Sequence, residues 1–154
     1  MGEFLKEAGK VYASLSAGTP GGGRMLNHKA ETVGGFRMAL HAPEATVAPG
    51  GLAAVKEKVG DFPDYEIPSM EWNRYATDIY LKFVEPEMCP DVMVLWFCEP
   101  DSSYHYKVIV APENLAAIRG VDEQFGRIVD WRDGPDVPGE ALQIITTSDH
   151  GQIT

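Results

Sequence analysis

The 154-residue chain has few cysteines and no long apolar run, and each shortage excludes a class of protein. Cys89 and Cys98 lie at opposite ends of one predicted strand, roughly 30 Å apart at ~3.3 Å per residue, which excludes a disulfide between them. Two reduced thiols slightly favour the cytoplasm and leave the compartment open. A run of ~18 apolar residues is absent, so no segment is expected to span a membrane.

Basic residues are also scarce, with 13 Lys and Arg against 23 Asp and Glu, for a formal net charge of −10. Binding to a nucleic-acid polymer needs a basic surface, so this partner is excluded. A small phosphate ester or nucleotide-like substrate is not excluded, because bound divalent cations reverse the local field. A solvated acidic surface is the simplest interpretation of the charge taken alone.

Continuous apolar runs predict strands buried on both faces, and amphipathic segments predict helices. The predicted strands are 11–15, 91–98 and 142–147. The predicted helices are one ending at Gly9, a short one over 52–59, one capped by Ser69 and stopped by Pro86 and Pro90, and one over 112–131. The third helix is expected to bury Trp72, Tyr75, Ile79, Tyr80 and Phe83, and the last to bury Leu115, Ile118, Val121, Phe125, Ile128 and Val129.

Strands that alternate with helices indicate an α/β fold, a three-layer α/β/α sandwich with a mainly parallel sheet. The chain is expected to form one incomplete domain over 1–154, with loops at 34–51 and 132–140. Because the chain opens within a helix, we expect it to be a piece of a longer protein. The apolar sheet edge of a truncated domain would favour self-association or docking of a partner.

Two segments predicted to follow strands each carry one carboxylate and one imidazole. Asp-Ser-Ser-Tyr-His occupies 101–105, and Ser-Asp-His-Gly occupies 148–151. Oxygen and nitrogen donors of these types suit Zn²⁺ and similar divalent ions. Either segment alone is an ordinary polar loop, but both follow predicted strands of one sheet, where ligands bind beyond the carboxyl ends. Asp101, His105, Asp149 and His150 are therefore the candidate metal ligands.

At these residues the sequence resembles the type I phosphodiesterases/nucleotide pyrophosphatases of the alkaline phosphatase superfamily. Their metal loop typically reads Glu-Pro-Asp-Ser-x-Gly-His, and residues 99–105 match it except that Tyr104 replaces the Gly. Their next hallmark, an apolar strand ending in Ser-Asp-His-Gly, is matched by 144–151, and their connecting helix by 121–126. The resemblance is clearest over residues 91–154.

The resemblance implies an alkaline-phosphatase-like fold and a metal-dependent hydrolase of phosphate esters. It implies that Asp101 and His105 bind one divalent ion and that Asp149 and His150 bind the other, with Zn²⁺ first and Mn²⁺ or another divalent ion as the alternative. Family members add a Thr or Ser nucleophile, an upstream Asp and a downstream His, none of which we place in this sequence. The chain alone is therefore expected to be inactive.

A non-catalytic α/β module that binds a metal, an anion or a protein is the alternative, and the unplaced nucleophile and Tyr104 favour it. The Gly-rich segment 18–25 lacks the Lys and Ser/Thr of a phosphate-binding loop, so it predicts a turn. No Gly-x-Ser-x-Gly occurs, which excludes a nucleophile elbow. Cys98, in an apolar strand, is expected to be inert.

Overall fold

A computed structural model describes residues 1–135 and 142–152 as a mixed α/β protein, about half helical, with a three-stranded parallel sheet. The chain divides into two units. The sheet unit comprises residues 1–65 and 71–98, and the helix unit comprises residues 66–70 and those described from 99 onward. Within the described residues, no helix has the length and apolar character needed to cross a membrane.

The sheet has the order β2-β1-β3, with β1 at Tyr12–Ser16, β2 at Phe36–Ala39 and β3 at Val92–Trp96. Ala13 pairs with Phe36 on one side of β1, and Tyr12 pairs with Val92 on the other. All five residues of β1 are buried, as expected for a central parallel strand covered on both faces. The strands predicted at 11–15 and 91–98 are thus confirmed, although the edge strand β3 is only half-buried.

Two strand assignments made from the sequence are wrong. Strand β2 lies within 34–51, which the composition predicted as a loop, because Arg37 interrupts a run of only four residues. The strand predicted at 142–147 has no regular structure and is mostly exposed. A strand exists only where its backbone groups pair with a neighbour, and an apolar, β-branched run such as this one does not supply that partner by itself.

The sheet unit contains six short helices, five of them complete within it. They are α1 (Gly2–Glu7), α2 (Pro20–Leu26), α3 (Ala30–Val33), α4 (Gly51–Val59), α5 (Met70–Ile79, whose first residue belongs to the helix unit) and α6 (Glu85–Met88). The predictions of α1, α4 and α5 are confirmed, and the backbone at Gly9 is left-handed, as a helix stop requires. The turn predicted at 18–25 is instead mostly helix α2, with Pro20 in its first turn.

Pro86 does not stop the helix that begins at Met70. A π-helical turn, Tyr80–Val84, follows α5 and leads directly into α6, where Pro86 lies in the first turn. Proline donates no backbone hydrogen bond and clashes with the carbonyl four residues earlier. A wider π turn immediately before it is a distortion that relieves this clash.

The core of the sheet unit is formed between the sheet and the helical segment 71–88. Phe36 of β2 and Phe83 of the π turn are fully buried, with ring centroids 6.2 Å apart. Leu15, Met38 and Ile79 are also fully buried. The predicted burial of Trp72, Tyr75, Ile79, Tyr80 and Phe83 is confirmed. Each such side chain stabilises the fold by about 1.5–3 kcal/mol through apolar burial.

The helix unit contains α7 (Asp101–Tyr106) and α8 (Pro112–Arg132), and α8 has almost the predicted bounds. Its predicted buried face is wrong in part, because Leu115 and Ile118 are 51% and 43% exposed. The covered face carries Asn114, Ala117 and Gln124. Asn114 fixes this orientation, since its side-chain amide donates hydrogen bonds to the carbonyls of Val108 and Ile109.

Candidate metal centre

The segment 101–105, predicted as a loop, forms the short helix α7. Residues four apart lie on one face of a helix, so Asp101 and His105 become neighbours. The Nε2 atom of His105 lies 3.3 Å from Oδ2 of Asp101. Tyr104, which departs from the family pattern, has an ordinary helical backbone, and its N–H donates to the carbonyl of Pro100 at 3.0 Å. A helical position has no requirement for glycine.

Asp149 and His150 lie near Asp101 although the strand predicted to carry them is not formed. The Nε2 atom of His150 lies 3.5 Å from Oδ1 of Asp101 and 4.0 Å from Oδ1 of Asp149. Gln152 connects the same segment to α7, because its amide donates a 2.8 Å hydrogen bond to Oδ1 of Asp101. The four residues predicted from the sequence are therefore neighbours within the helix unit, with Asp101 between the two imidazoles.

The hydrogen bonds of His150 define the role of its ring. Its Nδ1 lies 3.1 Å from the carbonyl of Gly151, which only accepts, so Nδ1 carries a proton. This contact is the largest cause that raises the pKa of His150 above its ordinary value of 6.5. The carboxylates of Asp149 and Asp101 raise the pKa further, and desolvation opposes them. In the neutral imidazole Nε2 would carry the free lone pair, which is the ligand form for a metal.

The donor set fits a divalent metal in chemistry and in proximity. Two carboxylates and two imidazoles are typical of Zn²⁺ sites, and all four side chains are partly open to solvent. Over residues 1–135 and 142–152, however, no group of three or more His, Cys, Asp and Glu side chains is arranged to hold an ion. The two imidazoles lie beside different oxygens of the Asp101 carboxylate, His105 beside Oδ2 and His150 beside Oδ1.

Two residues of this centre were not predicted. Glu99 is 4% exposed and accepts hydrogen bonds from Ser69 and Ser103. Its position next to an apolar strand was a signal that the carboxylate would be buried, but the sequence does not reveal the donors. Ser69 was predicted to cap α5, and its hydroxyl donates to Glu99. Gln152 carries no signal at all in the sequence.

Within the described residues neither cysteine forms a disulfide, and Cys89 is exposed whereas Cys98 is half-buried. Cys98 packs against Gly18 in the sheet unit, where a Cβ on Gly18 would lie 2.2 Å from the Cys98 sulfur.

Comparison of the chain with protein-family models, with curated proteins and with solved structures finds no match.

Proposed function

We propose that this chain contributes four ligands to the two-metal site of a hydrolase of phosphate esters, of the phosphodiesterase/nucleotide pyrophosphatase kind. The observation that carries the proposal is the meeting of Asp101, His105, Asp149 and His150 in the helix unit. These residues belong to two separate segments of the sequence, and both their donor types and their motifs indicate metal ligands. We propose with it a three-layer, alkaline-phosphatase-like arrangement of the complete domain.

In this proposal Asp101 and His105 hold one divalent ion, and Asp149 and His150 hold the other. Two bound divalent ions supply Lewis-acid stabilisation of phosphoryl oxygens and activation of a hydroxyl nucleophile. The carboxylates of Asp101 and Asp149 supply negative charge that offsets the charge of the ions. The N–H at Nδ1 of His150 donates a hydrogen bond to the Gly151 carbonyl. This hydrogen bond orients the ring and leaves Nε2 as the ligand atom. None of the four residues acts as the nucleophile, so we expect the chain alone to turn over no substrate.

A second candidate function is a non-catalytic module that binds a protein. The exposure of Leu115 and Ile118, one helical turn apart on α8, favours it. In that case the contacts between Asp101 and the two imidazoles would be ordinary surface ion pairs. Such pairs contribute at most about 1 kcal/mol each, and they do not create a metal site.

The deciding experiment is elemental analysis combined with Zn²⁺ titration of the purified chain. We expect binding that is lost in the double variant His105→Ala/His150→Ala and retained in His28→Ala. His28 is an exposed histidine in the sheet unit, outside the candidate centre, so it controls for adventitious binding by surface imidazoles. Binding that is equal in the chain and in the double variant would contradict the assignment.

Activity is measured on the same preparations with a nitrophenyl phosphodiester. Because the chain is proposed to lack a nucleophile, we expect no turnover above the background of the double variant. Turnover that His150→Ala abolishes would refute the expected inactivity, and it would show that a nucleophile exists within these residues.

A further inference from the structure

Glu99 is a buried carboxylate held between two segments of the helix unit. Its Oε1 accepts from the N–H and the hydroxyl of Ser69, at 2.6 and 2.8 Å, and its Oε2 accepts from the N–H of Ser103 at 3.0 Å. Glu99, Ser69 and Ser103 are all buried, with exposures of 4% or less. Burying a carboxylate is costly unless donors replace water, so this arrangement needs an explanation.

The N-terminus of α7 explains why a carboxylate is buried at Glu99. The first N–H groups of a helix lack partners within the helix, and a side chain at the N-cap usually accepts from one of them. The N-cap of α7 is Pro100, whose side chain has no acceptor. Glu99, one residue earlier, takes this role, since its Oε2 accepts from Ser103 in the first turn. The first turn of α7 is therefore fixed by Glu99.

Both oxygens of Glu99 face backbone N–H groups, and this makes the carboxylate hard to replace. A glutamine has one acceptor and one NH₂ group at the same two positions. In either orientation of its amide, the NH₂ would face the N–H of Ser69 or of Ser103. An apposition of two donors leaves buried groups without partners and disrupts the arrangement.

We infer that Glu99 is a positioning residue of the candidate metal centre. It anchors the first turn of α7 to Ser69, so that Asp101, two residues after Glu99, and His105, one turn later, stand beside His150. The inference rests on the proposed function, and it assigns to Glu99 a role in metal affinity without direct contact with the ion. Outer residues that orient metal ligands typically change affinity by about 10–100-fold when they are lost.

The test uses Co²⁺ as a spectroscopic substitute for Zn²⁺, with amide hydrogen exchange measured in parallel on the metal-free chain. In Glu99→Gln we expect Co²⁺ affinity to fall by about 10–100-fold, an altered d–d spectrum, and faster exchange of the amides of α7. In Ser69→Ala, which keeps the N–H and loses the hydroxyl, we expect smaller changes in the same direction.

Two controls separate this role from general loss of stability. Ser103→Ala keeps the N–H that donates to Glu99, and the Ser103 hydroxyl has no hydrogen-bond partner among the described residues, so affinity should stay within about twofold. Glu113→Gln removes a surface carboxylate of the helix unit, paired with Lys107, and should also leave affinity unchanged. If Glu99→Gln does not fold, the test is the difference in Co²⁺ affinity between Ser69→Ala and Ser103→Ala. A lower affinity in Ser69→Ala alone would support the inference, and equal affinities would contradict it.

Wild-type affinity, spectrum and exchange in both Glu99→Gln and Ser69→Ala would overturn the inference. A chain that binds no Co²⁺ through His105 and His150 would contradict the proposed function. In that case, faster amide exchange confined to α7 in Glu99→Gln would still support the anchoring of α7 by Glu99. Unchanged amide exchange would contradict that anchoring too. Failure of the inference and failure of the proposed function are thus distinguishable.

Discussion

The side-chain amide of Gln152 donates a 2.8 Å hydrogen bond to Oδ1 of Asp101, a residue 51 positions earlier in the chain. The same oxygen lies 3.5 Å from Nε2 of His150, and the other oxygen of Asp101 lies 3.3 Å from Nε2 of His105. One carboxylate thus connects the two segments that carry the candidate ligands. Changes at Asp101 should therefore affect metal binding more strongly than changes at either histidine alone.

Asp101→Asn should lower the Zn²⁺ affinity by more than about 100-fold, above the range typical of outer residues, because a ligand charge is lost. Gln152→Ala should lower it by about 10-fold, since Gln152 only orients Asp101. Calorimetric titration measures both. Asp130→Asn, an exposed carboxylate of α8, is the matched control and should have no effect. An Asp101→Asn chain with wild-type affinity would exclude Asp101 as a ligand.

The imidazole of His150 should titrate above 6.5 in the metal-free chain, and Asp149→Asn should lower this pKa. A pKa raised by folding means that the protonated form is favoured in the folded state. The resulting stability is present below about pH 6.5 and is lost as the pH rises through the raised pKa. Nuclear magnetic resonance of the ring protons against pH measures the shift. An unchanged pKa in Asp149→Asn would contradict a contribution from Asp149 and leave the Gly151 carbonyl and Asp101 as the causes.

Gly35→Ala should destabilise the chain by about 1–3 kcal/mol, as overpacking does. A Cβ at Gly35 would lie 2.6 Å from the carbonyl oxygen of Tyr12, which is backbone and cannot move aside. Gly126→Ala is the matched control, because a Cβ there meets no described atom within 4 Å and lies within α8. It should instead stabilise by up to ~1 kcal/mol through helix propensity. Urea unfolding measures the change in the free energy of unfolding of each variant. A change of the same sign in both would contradict the close packing at Gly35.

Cys89 should react with a thiol reagent several times faster than Cys98. Cys89 is exposed at the end of α6, whereas Cys98 is half-buried and packs against Gly18. The variants Cys89→Ser and Cys98→Ser each leave one thiol, so absorbance after disulfide exchange gives each rate separately. A faster reaction at Cys98 would show that the thiol is activated, contrary to the inertness expected from the sequence.

Local signals in the sequence predicted four of the eight α-helices that the structure describes, namely α1, α4, α5 and α8. Gly9 and Pro112 mark the end of α1 and the start of α8, and both marks are read from single residues. The sequence predicts that Asp101 and His105 act as a pair within a loop, whereas the two residues lie 3.3 Å apart on a helix. A spacing of four residues places two side chains on one face of a helix, and an Asp in the first turn of a helix is favourable. The pattern at 101–105 is therefore also typical of a helix.

The sequence does not reveal which distant segments of the chain pair with one another. Leu142 begins a run with the apolar character of a strand, but this run pairs with no strand among the residues that the structure describes. Arg37, in contrast, lies in a strand whose sequence resembles a loop. Pairing between distant segments decides both outcomes. The burial of Glu99 depends in the same way on Ser69, 30 residues earlier. Such relationships have no periodicity in the sequence, so pattern analysis does not detect them.

The central position of β1 has a consequence for biosynthesis. Its partner β2 follows soon after it in the chain, but β3 is completed only when Trp96 has left the ribosome. Until then the nascent chain carries β1 with one edge that has no neighbouring strand, which is the condition under which chaperones bind and chains associate. A pause in translation between Ala39 and Val92 would prolong that exposure, whereas a pause after Trp96 would not.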